Sequence, residues 1–150
     1  MPLETIFSVC GALAMLGWLG LAVLPKNRWV VDIGARLVIP GLIGLIYLFL
    51  MATNIGSAPA DGGFGSLAQV KSLFTVDALL LGGWVHYLAF DLFVGSWEVI
   101  DSRDQKIPHL AVIPCLFLTF MAGPVGLLLY LGLRAAFGGR SDAATLGGAV

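Results

Sequence analysis

Three acidic residues recur at multiples of seven within one apolar stretch of this sequence. They are Asp77, Asp91 and Glu98, and Trp84 occupies the seven-residue position between the first two. Residues seven apart share one face of an α-helix with a slow drift, so the spacing predicts an acidic stripe, which Tyr87 joins four residues before Asp91. Ionisable side chains at membrane depth are typical of proton relays and ligand sites, so this stripe is the first candidate for chemistry.

A second stripe on the same segment combines one histidine with aromatic residues: His86, Phe90, Phe93 and Trp97. The chain has two histidines, His86 and His109, which excludes a histidine-rich di-iron centre. At 1.5 Å per residue the two would lie about 18 Å apart in depth, which argues against a bis-histidine haem. The sequence also has no C-x-x-C pair, phosphate-binding glycine loop or nucleophile elbow. We therefore expect no metal ion and no cofactor.

The length of this segment places Asp91 relative to a bilayer. Its uncharged run, residues 78–90, is 13 residues or about 20 Å long, whereas a hydrocarbon core is about 30 Å thick. From Asp77 to Glu98 the length is about 31 Å, which fits. If the segment spans the membrane, Asp91 lies within it and His86 lies near its middle. A carboxylate there should face protein or water rather than lipid.

Composition and apolar runs predict the fold class. Of the 150 residues, 59% are hydrophobic and 11% are charged, against roughly 25% charged residues in soluble domains. Four apolar stretches occur, at residues 6–24, 37–52, 77–99 and 110–133, and the short second one is expected to extend into its flanks. We predict an all-α, polytopic membrane protein. Residues 1–135 would form four transmembrane helices in a compact bundle, and residues 136–150 a flexible C-terminal tail.

Smaller features complete this prediction. Residues 67–74 place apolar side chains at helical spacing, which predicts a short helix at the membrane surface. Pro114 and Pro124 predict a kinked last span, and recurring glycines within the spans permit close helix approach. Cys10 and Cys115 lie in apolar runs and are interpreted as packing residues.

Charge predicts the orientation and excludes one class of partner. The net charge is −1, so nothing suggests a nucleic-acid partner. The loops after the first and third spans hold five Lys and Arg residues against three on the other side, which favours a cytoplasmic position for these loops and non-cytoplasmic termini. The first apolar run follows Glu4 and no basic residue, so it is expected to remain as a span rather than act as a secretory signal.

Each candidate residue also has a structural interpretation. Asp77 suits a helix N-cap, Glu98 a solvated position at the far interface, and His86 a hydrogen bond to a neighbouring helix. Packing or an interfacial aromatic belt would explain three more: Trp84, Tyr87 and Trp97. Asp91 is the hardest to explain structurally, a hydrogen bond to Tyr47 being the alternative.

A block of residues resembles a known family. Residues 86–95, His-Tyr-Leu-Ala-Phe-Asp-Leu-Phe-Val-Gly, are followed by Trp97, Asp101, Pro114, Thr119-Phe120, Gly123-Pro124 and Gly126-Leu-Leu-Leu-Tyr130. Together with the opening Glu4-Thr-Ile-Phe, this pattern resembles the abscisic-acid-deficient-four-like proteins over nearly the whole chain before about residue 135. That family includes the plant protein required for neoxanthin synthesis and cyanobacterial and bacterial relatives. Ser96 departs from it, since a basic residue often follows the glycine there.

The resemblance implies a carotenoid-related role. In plants the family is linked to conversion of the epoxide violaxanthin into the allene neoxanthin, which needs a base to remove a proton from the polyene and an acid to protonate the opening epoxide. His86 and Asp91 are then the candidate pair and Glu98 the reserve carboxylate. The pair is separated by about 140° around the helix, so it would flank a long substrate. Aromatic residues would line the substrate slot: Trp84, Tyr87, Phe90 and Trp97.

Three functions are compatible with this sequence. The first is a carotenoid isomerase without a redox cofactor. The second is a non-catalytic carotenoid- or lipid-binding subunit, alone as a homo-oligomer or within a larger membrane complex. The third is a proton-coupled carrier or channel that uses Asp77, Asp91 and Glu98 as a relay. In each case the expected partners are a long apolar ligand and membrane lipid, in a bacterial inner membrane or a thylakoid-type membrane.

Overall fold

The computed structural model describes residues 2–146, with side chains through residue 137, and this part of the chain contains helices and turns but no strand. The helices are α1 (Leu3–Val23), α2 (Trp29–Ser57), α3 (Leu67–Leu73), α4 (Asp77–Asp104) and α5 (His109–Leu146). Four of them are long and apolar enough to cross a membrane: α1, α2, α4 and, in α5, His109–Phe137. The predicted all-α class with four long apolar helices is confirmed.

Helix α2 changes its hydrogen bonding along its length because of a proline. Its first part, Trp29–Val38, is a π-helix, and there the Ile39 N–H donates to the Gly34 carbonyl five residues earlier. Pro40 follows directly and has no N–H, so it cannot continue this series of backbone hydrogen bonds. The π-helix therefore ends just before the proline. Arg36, predicted to mark the first loop, therefore lies inside α2, and the second apolar stretch gains its missing length from this segment.

Helix α4 is the element around which the others pack, and it contacts α1, α2 and α5. It begins at Asp77 without a side-chain cap, and Val76 holds the N-cap position, so the interpretation of Asp77 as the N-cap is wrong. It ends at Asp104, five residues beyond the predicted stretch, which leaves a short turn before α5. At 1.5 Å per residue α4 is about 42 Å long, enough to cross a bilayer.

The core divides into two layers along the bundle. One layer surrounds Leu92, Val99 and Tyr130, and the other surrounds Ile43, Val85 and Leu88. Both cysteines are buried and free, Cys10 in the second layer and Cys115 in the first. The predicted short surface helix is present as α3, where the Ser66 side chain accepts a hydrogen bond from the Gln69 N–H.

Helix α5 extends beyond the predicted span. Its backbone continues as helix to Leu146, so residues 136–146 of the predicted tail prolong α5, and residues 147–150 lie outside the described residues. The predicted division at residue 135 stays a prediction. The helix is interrupted at Ala122, whose φ of −155° and ψ of 66° are not helical, two residues before Pro124. A break in the last span is therefore present.

We predict that Gly95→Ala destabilises the bundle. A Cβ at residue 95 would lie 2.6 Å from the Trp18 ring, which packs α1 on α4. Overpacking of this kind costs about 1–3 kcal/mol. The melting temperature of the detergent-solubilised chain, followed by tryptophan fluorescence, should fall. Gly44→Ala is the matched control, because a Cβ there meets nothing within 4 Å; equal melting temperatures for both variants would contradict the proposed packing.

Candidate functional site

The acidic stripe of α4 faces α5. Tyr87, Asp91 and Glu98 each meet a residue of α5, and so does Asp101, one further turn along. The seven-residue spacing of the acids therefore brings Asp91 and Glu98 onto one helix–helix interface. Asp77, the first residue of α4, is exposed instead.

Tyr87 binds a backbone carbonyl that a proline leaves free. In a regular helix the carbonyl of Phe120 would accept from the N–H of residue 124, but that residue is Pro124 and has no N–H. The Tyr87 hydroxyl donates to this carbonyl at 2.7 Å. A buried carbonyl without a partner is costly, so the tyrosine compensates for the interruption of α5.

Asp91 lies against the interruption. An added Cβ at Gly123 would be 2.5 Å from Asp91 Oδ1 and 2.8 Å from Oδ2, so the carboxyl group fills the space that a side chain would take. The Oδ2 atom is buried and has no hydrogen-bond partner within the described chain. Asp91 is 14 residues from the start of α4 and 13 from its end, which is the midpoint of the helix. The alternative hydrogen bond to Tyr47 is not formed; Tyr47 lies near His86.

Glu98 is fully buried, which corrects the interpretation of a solvated residue at the far interface. Its exposure is 0%, and its Oε1 atom accepts a hydrogen bond from the Thr119 hydroxyl at 2.8 Å. Its Oε2 atom is buried with no partner in the described part of the chain. Thr119 also lies in close contact with the position that a Gly126 side chain would occupy, so glycine permits the two halves of α5 to pack beside Glu98.

The next acid, Asp101, is paired with two residues of α5. Its Oδ2 atom accepts from the Tyr130 hydroxyl at 2.6 Å and from Arg134 Nε at 2.8 Å. Trp97 packs edge-on against Tyr130, with ring centroids 5.4 Å apart. Trp97 thus belongs to the α5 side of α4, although the sequence grouped it with His86.

His86 lies on a different side of α4 from Asp91. Its ring stacks on Phe90, with centroids 4.5 Å apart, and lies 5.7 Å from the ring of Tyr47 on α2. The structure therefore does not bring His86 and Asp91 together, as their angular separation of about 140° already indicated. Phe90 is 59% exposed, so this aromatic group is at the surface of the bundle.

Two apolar grooves follow the outside of α4. The first, which we call the α1–α5 groove, has a volume of about 710 Å³ and is lined on α4 by Trp84, Tyr87 and Leu88 and on α5 by Phe120 and Met121. Trp84 packs near Tyr87, with ring centroids 5.2 Å apart. The second, which we call the α2 groove, has a volume of about 370 Å³. Its lining includes Arg36, Gly41, Phe90 and Phe93.

Sequence reasoning did not predict that several residues contact the acidic stripe of α4: Thr119, Gly123, Tyr130 and Arg134. The signal for one contact was available, because Pro124 necessarily frees the carbonyl four residues earlier. The other contacts depend on which helix lies beside α4, which the spacing on α4 does not reveal. Within the described residues no group of three His, Cys, Asp or Glu side chains could hold a metal ion.

Comparison with known proteins gives one match. A family model described as ABA DEFICIENT 4-like (ABA4-like) matches residues 5–130. No curated protein and no solved structure is a significant match to the chain. The matched range includes the whole of α4 and the interruption of α5, and so every residue of the interface described above up to Tyr130.

We predict that Tyr87→Phe and Pro124→Ala are energetically coupled. Loss of the Tyr87 hydroxyl leaves the partly buried Phe120 carbonyl unpaired, which costs about 1–3 kcal/mol. Alanine at residue 124 restores an N–H that the carbonyl can accept from, so Tyr87→Phe should cost much less in that background. A double-mutant cycle on the free energy of unfolding in detergent measures the difference. Additive effects of the two substitutions would show that the proline does not create the tyrosine's partner.

Proposed function

Because this chain belongs to the ABA DEFICIENT 4-like family, we propose that it is an integral membrane protein that binds a carotenoid and isomerises it by acid/base chemistry. Membership supports a carotenoid-related role, since the family is linked to neoxanthin synthesis. The geometry around α4 supports isomerase activity and pigment binding.

Membrane insertion is supported by the outer surface of the four long helices. Large apolar side chains are exposed there on every one of them, including Leu16, Leu45, Phe90 and Leu128 at 64%, 65%, 59% and 68%. Such a surface is typical of contact with lipid. We place the chain in a bacterial inner membrane or a thylakoid-type membrane, with the turns after α1 and α4 on the cytoplasmic side and both termini on the other.

The observation that carries the proposed chemistry is the unpartnered carboxyl oxygen of Asp91 at the midpoint of α4. A buried polar atom without a hydrogen bond is costly, and such atoms persist where function requires them. Asp91 is one helical turn from Tyr87, which lines the α1–α5 groove. A polyene in this groove would pass beside the α4–α5 interface that holds the carboxyl group.

The proposed reaction moves protons but no net electrons. A carboxylate removes a proton from a polyene carbon, the C–H electrons form a new C=C bond, and the C–O bond of the epoxide breaks. The oxygen then takes up a proton, so the product is an isomer of the substrate and no redox cofactor takes part. We assign the base to Asp91. We assign the second proton transfer to Glu98 first, because it shares the α5 face, and to His86 second.

A non-catalytic binding subunit is the second candidate. It is favoured by the lining of the α1–α5 groove, which is almost wholly apolar and does not include Asp91 itself. In this function Trp84 and Tyr87 would hold a long apolar ligand, as Phe90 would in the α2 groove. The chain would then act as a homo-oligomer or as part of a larger membrane complex.

We expect Asp91→Asn to abolish carotenoid conversion, because an amide cannot take up the substrate proton. The chain is expressed in a host that makes epoxide carotenoids, and the pigments are separated by chromatography. Asp77→Asn is the matched control, since this acid is exposed on the same helix. Glu98→Gln and His86→Ala decide which residue transfers the second proton. Unchanged conversion by Asp91→Asn would exclude the assigned base, and pigment that copurifies unchanged with the wild-type chain would favour the binding subunit.

Gly11→Phe is expected to prevent retention of the pigment. Gly11 lines the α1–α5 groove, and a Cβ there meets nothing within 4 Å, so the ring would fill the groove without disturbing the core. Gly41→Phe is the control, because it lines the α2 groove and is equally open. The measurement is the absorbance of copurified carotenoid per mole of protein. Loss of pigment with Gly41→Phe alone would move the binding site to the α2 groove.

A further inference from the structure

A pocket lined by basic residues lies at the end of the bundle where α4 turns into α5, far from the grooves described above. We call it the basic pocket. Its volume is about 680 Å³, and its lining comes from the turn after α1, the end of α4, the turn after α4 and the first residues of α5. Four of its lining residues have basic side chains, namely Lys26, Arg103, Lys106 and His109, and none of the lining residues is acidic.

Two nitrogen atoms of the Arg103 side chain, which lines this pocket, have no hydrogen-bond partner among the described residues. Its Nη1 atom donates to Asp32 Oδ1 at 3.0 Å, but its Nε and Nη2 atoms are buried with no partner in the described chain. Asp32 is itself shared, since Arg28 Nε donates to its other oxygen at 3.2 Å. Arg103 lines the pocket, and its two unpaired, buried N–H-bearing atoms are of the kind that bind phosphate oxygens once the side chain shifts to expose them. Asp32 lies between two arginines, so its single charge does not neutralise both.

Lys106 occupies a backbone position that normally belongs to glycine. The Ile107 N–H donates to the Ser102 carbonyl at 2.8 Å, and the Lys106 N–H donates to the Arg103 carbonyl at 3.2 Å. This is the Schellman pattern that ends a helix, and Lys106 holds its left-handed residue at a φ of 56°. Side chains other than glycine adopt this conformation at a cost, and such strain concentrates at functional sites. The lysine places a cation at the pocket where a glycine would suit the backbone better.

The start of α5 adds to the positive potential. Helix α5 begins at His109, so the free N–H groups and the positive end of the helix dipole lie at the pocket. His109 Nε2 is 3.0 Å from the Ala22 carbonyl, which only accepts, so this nitrogen carries the proton. The Nδ1 atom is then an acceptor; it is buried with no partner among the described residues and gives the pocket no donor. Neither Lys26 nor Lys106 has an ion-pair partner in the same part of the chain.

We propose that the basic pocket binds a phosphate group, carried by the headgroup of an anionic phospholipid or present as free phosphate. The unpaired donors of Arg103, the strained lysine and the helix N-terminus are three independent features that fit one small anion. With four helices across a bilayer, the end of α4 reaches the headgroup level, where lipid phosphates are abundant. The pocket does not depend on carotenoid chemistry, so its test is separate from that of the proposed function.

The test measures binding to the full-length chain in neutral detergent. Phosphatidylglycerol, phosphatidylcholine and inorganic phosphate are titrated separately, and dissociation constants follow from the rise in melting temperature. We expect phosphatidylglycerol or inorganic phosphate to stabilise the chain more than phosphatidylcholine does. Preference for phosphatidylglycerol over inorganic phosphate would identify a headgroup as the ligand, and the reverse would identify free phosphate.

Variants distinguish the pocket from general attraction to anions. Lys26→Gln and Lys106→Gly should each weaken binding by about fivefold, in line with the contribution of one basic residue near an anionic surface. Glycine relieves the strained backbone at residue 106, so this variant is expected to fold at least as well as the wild type. Lys71→Gln, on α3 at the opposite end, is the matched control. Equal binding by all four proteins, or an equal loss with Lys71→Gln, would overturn the proposal.

Discussion

Carboxyl groups on an otherwise apolar helix must be covered by protein, and in this chain one neighbouring helix covers them. Asp91, Glu98 and Asp101 all lie on the face of α4 that meets α5. Burial of a polar group without compensation costs several kcal/mol in an apolar medium, and an acid turned toward lipid is disfavoured for the same reason. The acids therefore determine how α4 is rotated about its own axis. This rotation in turn determines which helices the aromatic residues and glycines on its other faces contact.

The interruption of α5 makes this cover possible. A continuous helix would present satisfied carbonyls and a uniform surface to α4, with no polar partner for Tyr87 and little room for a carboxyl group. Pro124 removes one N–H, and the non-helical Ala122 offsets the two halves of the helix. As a result the Phe120 carbonyl accepts a hydrogen bond from Tyr87, and the Asp91 carboxyl group occupies the space left by the missing side chain of Gly123. One local defect thus supplies the partner and the space that the acidic stripe requires.

The apolar helices and the break in the last helix could be predicted from the sequence, whereas individual contacts between helices could not. Four apolar runs and the proline-induced break follow from composition and from backbone chemistry, so they are visible in a single chain. The seven-residue spacing predicted a shared face for Asp91 and Glu98 but not the helix opposite it, because every long helix here is apolar on several sides. The position of Glu98 near the end of the apolar segment predicts a solvated side chain. Its contact with Thr119, which buries it, cannot be predicted from that position.

Arg36 and Trp97 show the same limit. The basic residues after the first apolar run predicted a loop that includes Arg36, yet the π-helix before Pro40 carries Arg36 into α2, where its guanidinium lies 5.9 Å from the centre of the Phe93 ring. Trp97 shares a helical face with His86 by spacing, but its actual neighbour is Tyr130. Periodicity predicts which face of its own helix a side chain lies on. Which residue of another helix it contacts depends on how the helices cross.

Some polar groups of the bundle are paired across helices, and others retain a buried atom without a hydrogen bond. Asp101 accepts from two donors on α5, so it acts as a structural link between the helices. Asp91 and Glu98 on one side, and Arg103 and His109 at the basic end, each retain a buried atom without a partner. A domain of this size gains nothing in stability from such atoms. These atoms fall into two groups, acidic ones inside the bundle and basic ones at its end, and the two proposed ligand sites rest on this separation.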